Sequence, residues 1–145
     1  MTGEPEARVQ ASFAKQGLMR TLGASLRFIG PGQVEIELRP APGITQQHGF
    51  VHGGAISSIA DSAAGYAALS LMPADRGVLT TEFKINFLAP AAGDRIVARA
   101  SVVKSGRTLT LVQSQVFAES RGQERLIALL TATMMSVEGR DDVTD

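Results

Sequence analysis

The sequence predicts an α+β fold in which a curved antiparallel sheet of about six strands wraps around one long central helix. Three observations carry this. One weakly polar stretch, Gly53 to Met72, opens on Gly-Gly, closes before Pro73 and has helical apolar spacing. Nearly every other regular run alternates as a strand does. The runs after Pro73 are joined by short turns, which implies antiparallel pairing. One helix cannot cover a flat sheet of that width, so the sheet must curl around it.

The elements follow in order. Residues 1–7 read as a flexible end. In "RVQASFAKQGLMR" (8–20), Val9, Phe13, Gln16 and Leu18 fall loosely at helical spacing, which predicts a short amphipathic helix. "SLRFIG" and "QVEIELR" alternate around "GPGQ" and predict a β-hairpin. Residues 40–52 form a loop, and the helix follows. After Pro73, "LTTEFKINFLAP" places Leu79, Thr81, Phe83, Ile85 and Phe87 on one face, and Thr80, Glu82, Lys84 and Asn86 on the other. "AAGD" turns the chain into "RIVARASVVK". "SGR" turns it into "TLTLVQSQVFA", and the loop "ESRGQE" leads to "RLIALLTATMMSV". Residues 138–145 read as a second flexible tail, so that a single domain spans 1–145.

Composition narrows the function classes. A chain of 145 residues with 44% hydrophobic residues suits one domain with a real core. The formal net charge is zero, and no basic stripe argues for nucleic acid. Cysteine is absent, which excludes a disulfide framework, a thiolate metal site and a cysteine nucleophile, and is compatible with a cytoplasmic location. The N-terminus carries acids and a proline where a signal peptide needs an apolar core. Gly53–Met72 is too rich in Gly and Ser, and carries Asp61, so no membrane span is expected. With two histidines in the whole chain, both near Gln46, no metal site is expected either.

The central helix poses the functional question. Ile56, Ile59, Ala60, Ala63 and Ala67 form one apolar stripe. The opposite face carries Ser58, Asp61, Gly65, Ala68 and Met72, with none of the lysines and glutamates of a solvated helix. One face should therefore pack on the sheet, and the other should be covered by a second subunit, a ligand or both. That makes Asp61 costly unless it is hydrogen-bonded, functional or both. Gly53 and Gly54 weaken a helix start but offer bare N–H groups at the positive end of the dipole. They equally suit a hinge between loop and helix. An acid two turns from the helix start cannot meet it within one helix. The two can meet across a two-fold axis.

"HGFVHGGAISSIADSAAGYAA" resembles the H-G-G-x₆-D segment of hot-dog-fold acyl-CoA thioesterases of the PaaI-like group, the phenylacetate-pathway type. The order hairpin, helix, four strands is similar along nearly the whole chain, as are "INFLAPAAGD" and "VVKSGRT". The resemblance implies hydrolysis of an aromatic or medium-chain acyl-CoA without a cofactor, in a homo-oligomer (a dimer or a dimer of dimers, hence a homotetramer) with active sites at the dimer interface. It implies that the Gly53 amide polarises the thioester carbonyl, and that Asp61 of the facing subunit attacks the carbonyl or activates water. Gln46 stands where many members have asparagine, although relatives acting on hydroxybenzoyl-CoA can have glutamine there; it would hold the thioester or the water. His52 would orient the carbonyl or the loop. Thr80, with Thr81 as the alternative alignment, would orient water. Lys104 and Arg107, beside the "SGR" turn, would meet the phosphates of the substrate's CoA. Each has a plainer reading: loop capping for His52, a solvated hairpin end for Lys104 and Arg107.

Three other classes fit less well. A regulatory module that binds acyl-CoA without hydrolysis would tend to lack the helix acid. A dehydratase on the same fold would need a histidine and an acid in a different loop setting. A structural oligomer gives Gly53 and Asp61 no joint use.

Overall fold

The computed structural model describes residues 3–145. Helix α1 spans Glu4–Ala14, with a proline in its first turn and Glu4 and Glu6 at the positive end of its dipole. Residues 4–7, read as a flexible end, are thus its first turn. The single short helix expected over 8–20 is two: α1, and α2 at Gly17–Leu22. Helix α2 stops on Gly23, whose left-handed conformation (φ +67°) lets the Ala24 amide return to Met19 O at 2.9 Å.

The expected hairpin is β1 (Ser25–Gly30) and β2 (Gln33–Leu38). Its turn, Pro31-Gly32, joins a fixed proline φ to a glycine at φ +70°, the requirement of a type II turn. The central helix α3 is Gly53–Leu69, 17 residues and about 25 Å long. The strands β3 (Arg76–Phe87), β4 (Arg95–Ser105), β5 (Leu109–Ser120) and β6 (Gln123–Glu138) follow. All six strands form one antiparallel sheet in the order β1-β2-β4-β5-β6-β3. Alanines on both sides of the contact, Ala60, Ala63 and Ala67 on α3 against Ala98, Ala100 and Ala132 on the strands, are buried and let the helix lie close to the sheet. Bulges in β1, β3 and the β4–β5 and β5–β6 ladders raise the local twist that wraps the sheet around it.

Four expectations need correction. Strands β3 and β4 do not pair: the link 88–94 carries the chain across, so that β3 lies at the sheet edge beside β6 while β4 sits between β2 and β5. "ESRGQE" is no loop. Strands β5 and β6 continue through most of it and meet at Arg121-Gly122, both with positive φ (52° and 77°), as a two-residue type I′ turn requires. The predicted faces of β3 hold only after Thr81. The ladder skips this residue, so Leu79 points outward beside Met135 while Thr80 joins the helix side. Finally, Ala68 is fully buried by its own chain, so the second helix face is narrower than the wheel suggested. The last residues lack regular structure but are held. The Asp145 carboxylate accepts from Ser12 Oγ (3.0 Å) and from the Val78 amide (2.8 Å). Among the described residues no helix is long and apolar enough to cross a membrane.

Candidate active site

His52 is the N-cap of α3. Its Nδ1 accepts the Gly54 amide at 2.8 Å, and its carbonyl accepts the amides of Ala55 and Ile56. With Nδ1 accepting, the ring proton rests on Nε2. The structure therefore gives His52 the capping geometry. The Gly53 amide finds no acceptor among the described residues. A Cβ at Gly53 would lie 3.1 Å from Cζ of Phe87, so the glycine also admits the aromatic ring over the helix start. Together these leave one N–H at the positive end of a long helix, beside an exposed phenylalanine.

Asp61 is half-buried on α3, and its Oδ1 accepts from Thr80 Oγ1 at 2.7 Å. Burial pushes its carboxyl above the ordinary carboxylate range, and the threonine hydrogen bond partly opposes this. The Thr80 hydroxyl also touches Met134 Sδ at 3.3 Å, which fixes its rotamer against the sheet. Thr81, the bulge residue, instead bonds the Thr133 carbonyl at 3.1 Å. Of the two threonines, Thr80 is the one that meets the acid.

Asp61 and Gly53 are separated by eight helix positions, about 12 Å along the axis, so one chain does not bring them together. Gln46 does not reach Asp61 either. Its Oε1 accepts from the amides of His48 (2.6 Å) and Phe50 (3.2 Å), tying down the loop ahead of α3 and leaving the Nε2 donors without an acceptor among the described residues. Lys104 and Arg107 are exposed at the end of the β4–β5 hairpin, with no ion-pair partner among the described residues. Lys104, on β4, pairs in register with Leu111 on β5, and both β5 and β6 lie between it and β3 with its Thr80. No cluster of three metal-ligating side chains occurs among the described residues.

One part of the site was not anticipated. A cavity of about 160 Å³ adjoins Asp61 and Thr80 and is completed by Gln16, Tyr66 and Asp145. Tyr66 Oη accepts from Gln16 Nε2 at 2.7 Å and lies 3.1 Å from Ser12 Oγ, while Gln16 Oε1 accepts from Ser62 at 3.2 Å. Burial raises the Tyr66 phenol above its usual range, so it stays protonated and able to donate. The signal was the chain's only tyrosine in an alanine-rich helix; its partners lie some fifty residues earlier. Larger cavities, about 360 Å³ beside Pro5 and Pro31 and about 510 Å³ beside Arg20 and Arg39, reach neither Asp61 nor Gly53.

With this geometry in hand, comparison with known proteins is specific. The thioesterase superfamily model matches residues 48–124, from the loop before α3 to the start of β6. A thioesterase family protein from Silicibacter pomeroyi superposes with a TM-score of 0.91 at 50% identity, over 93% of this chain and 99% of that one. The PaaI protein of the E. coli phenylacetic acid degradation operon superposes with a TM-score of 0.82, at 22% identity over 93% and 94% of the two chains, and shares the fold. Human acyl-coenzyme A thioesterase 13 is 26% identical over 85% of this chain and 89% of its own length.

Proposed function

The chain belongs to the thioesterase superfamily, with the hot-dog fold, and is a thioester hydrolase; from that premise we propose that its substrates are acyl-CoA thioesters and that Asp61 is the base that activates water. The observation that carries this reading is the half-buried Asp61 carboxylate. It is held by Thr80 at one oxygen, borders a cavity, and is made more basic by its surroundings.

The chemistry follows from the atoms. Oδ2 of Asp61 takes a proton from water as the water oxygen bonds to the thioester carbon. The carbonyl oxygen gains negative charge and is met by the Gly53 amide of the partner subunit, at the positive end of α3. The C–S bond then breaks, and the thiolate takes the proton from Asp61. The products are a carboxylic acid and free CoA. The partner is needed because Gly53 and Asp61 of one chain stand about 12 Å apart. A two-fold dimer forms two equivalent composite sites. Gln46 holds the loop that leads to Gly53 and turns its free amide donors toward the thioester.

The test is hydrolysis of an acyl-CoA panel, read by release of free thiol, with wild type and Asp61→Asn. Turnover by wild type and its loss in the variant support the reading; equal rates would overturn it. A single turnover in ¹⁸O-water tests for a nucleophile, because water that opens a mixed anhydride at the aspartyl carbon leaves its oxygen in Asp61. Label confined to the product acid fits the base, while label retained in Asp61 would make it the nucleophile.

A further inference from the structure

Residues 139–145 cross the free edge of the sheet, and we infer that this crossing sets the register in which a second copy adds its own β3 to that edge, with Thr80 opposite Phe87 of the partner subunit. This rests on the reading of Gly53 and Asp61 as halves of one site shared between two chains.

The crossing follows from the contacts of Val143 and Asp145. Strand β3 ends the sheet order, with β6 on one side and no strand on the other among the described residues. Gly77 shares the outward face of Leu79, whereas Val78 packs toward the helix. A Cβ at Gly77 would lie 2.7 Å from Val143 Cγ1 and 2.8 Å from the Val143 carbonyl oxygen, so Val143 sits outside the sheet and only glycine admits it. Asp145 reaches the inner side: its Oδ1 accepts from Ser12, which is buried beside Tyr66 of α3. Between the two, the Val78 amide gives its one proton to Asp145 Oδ2 at 2.8 Å, so this N–H points off the open edge rather than toward β6. The chain therefore passes around the edge at Gly77-Val78, and a pairing strand must stop short of Val78.

Beyond the crossing the edge is open, and Phe83 and Phe87 stand exposed along it. Two of its residues mark the halves of the site: Thr80 is bonded to Asp61, and Phe87 lies against Gly53. Bringing Gly53 of one chain to Asp61 of another sets Phe87 opposite the partner's Thr80, in an antiparallel pair about a two-fold axis. Thr81 is left out of the ladder, so Lys84 lies three ladder positions from each mark and faces itself across the axis. Charge favours a different register. Shifted by one position, Phe83 faces itself and Glu82 faces the partner's Lys84, which replaces two opposed ammonium groups by ion pairs. That shift also runs Phe87 into the partner's Val78, where Asp145 already holds the N–H and the chain covers the edge. It displaces Gly53 by two strand residues, about 7 Å, from the partner's Asp61, beyond hydrogen-bond reach. The crossing thus excludes the pairing that charge prefers and leaves the one that assembles the site.

The chain has no cysteine, so single cysteines report the register. Phe83→Cys, Lys84→Cys and Ile85→Cys are oxidised with copper phenanthroline, and covalent dimer is read on non-reducing gels. A cysteine that faces itself is within disulfide reach, whereas one a position away meets its copy diagonally at about 7–8 Å. Lys84→Cys should cross-link at least about tenfold faster than the other two. Adding Asp145→Ala should raise the Phe83→Cys rate until that preference falls to about one, and acyl-CoA hydrolysis should fall in step with Lys84→Cys cross-linking. Gly77→Ala, which displaces Val143 and leaves the Asp145 side chain in place, should act in the same direction, and it serves as the test if Asp145→Ala lacks native circular dichroism. If Lys84→Cys is fastest and neither substitution moves the ratio, the crossing does not set the register and the inference fails alone. It also fails alone if Phe83→Cys is fastest, or if no cysteine cross-links in a protein that sediments as a dimer and loses activity in Asp61→Asn. If wild type is active as a monomer, the shared-site reading fails and the inference with it.

Discussion

Thr80 and Asp61 meet across the seam between the sheet edge and the central helix, hydroxyl to carboxylate at 2.7 Å. The carboxylate is half-buried, and this hydrogen bond is the one group shown to favour its ionised form against the loss of solvent. Basicity at Asp61 is therefore set by two opposed effects that mutation can separate.

Removing the hydroxyl with Thr80→Val leaves the desolvation in place and raises the Asp61 pKa further. The acid limb of the kcat/KM profile should move to higher pH, and Thr80→Ser should move it back. A profile that stays put in Thr80→Val would show that Asp61 does not govern the limb.

Asp61→Asn should lower turnover by about a hundredfold or more, the scale of a positioned acid–base group. The same variant should be more heat-stable than wild type at neutral pH. Because the folded-state pKa of Asp61 lies above its unfolded value, folding favours the protonated acid; that contribution is present at low pH and is lost as pH rises through the folded pKa. Asparagine carries no charge and still accepts from Thr80. The gain in Tm should vanish in acid, below the unfolded pKa of about 3.9. Thermal melts at both pH values check this.

Gln46 presents an acceptor and a pair of donors that mutation can separate. Gln46→Ala removes the acceptor for His48 and Phe50 and should cost about 1 kcal/mol per hydrogen bond, read as a lower Tm. Gln46→Glu keeps the acceptor and removes the Nε2 donors. A fall in kcat in both variants, with little change in KM, assigns the donors to the thioester; a fall in the alanine variant alone assigns Gln46 to the loop.

The proposed composite site has an assembly test. Asp61→Ala and Gln46→Ala chains, dissociated and reassembled together, should regain activity, because a hybrid dimer holds one intact site. At Gly65, space for a methyl exists, with the nearest atom 4.0 Å from a built Cβ, so Gly65→Ala should remain assembled. Gly65→Arg should sediment as monomer and be inactive. An active wild-type monomer at assay concentration would exclude the shared site.

What could be read in the sequence was whatever local chemistry decides. Gly-Gly and Pro73 bracket α3 to within a few residues, and Gly-Pro-Gly marks the first hairpin. The solitary charge between Arg39 and Asp75 located Asp61. Strand order was not legible, because a short link between β3 and β4 is equally compatible with a hairpin and with a crossing to another strand. The Thr81 bulge was hidden, since Val78 and Leu79 are both apolar and leave the phase of β3 ahead of it undecided. The seat of the last residues was hidden too: Gly77 reads as an ordinary strand glycine until Val143 is seen against it.

The extra residue in β3 has an evolutionary consequence. The strand carries two messages in different reading frames: positions 78 and 80 address the helix before Thr81, and 83, 85 and 87 address it afterwards. A substitution at one position edits one word. An insertion or deletion between Val78 and Ile85 puts one frame out of phase, trading the hydroxyl at Asp61 or the ring at Gly53 for an outward-facing residue. Length variation in this fold should therefore collect in the tails and turns, and this stretch of strand should keep its residue count even where its letters drift.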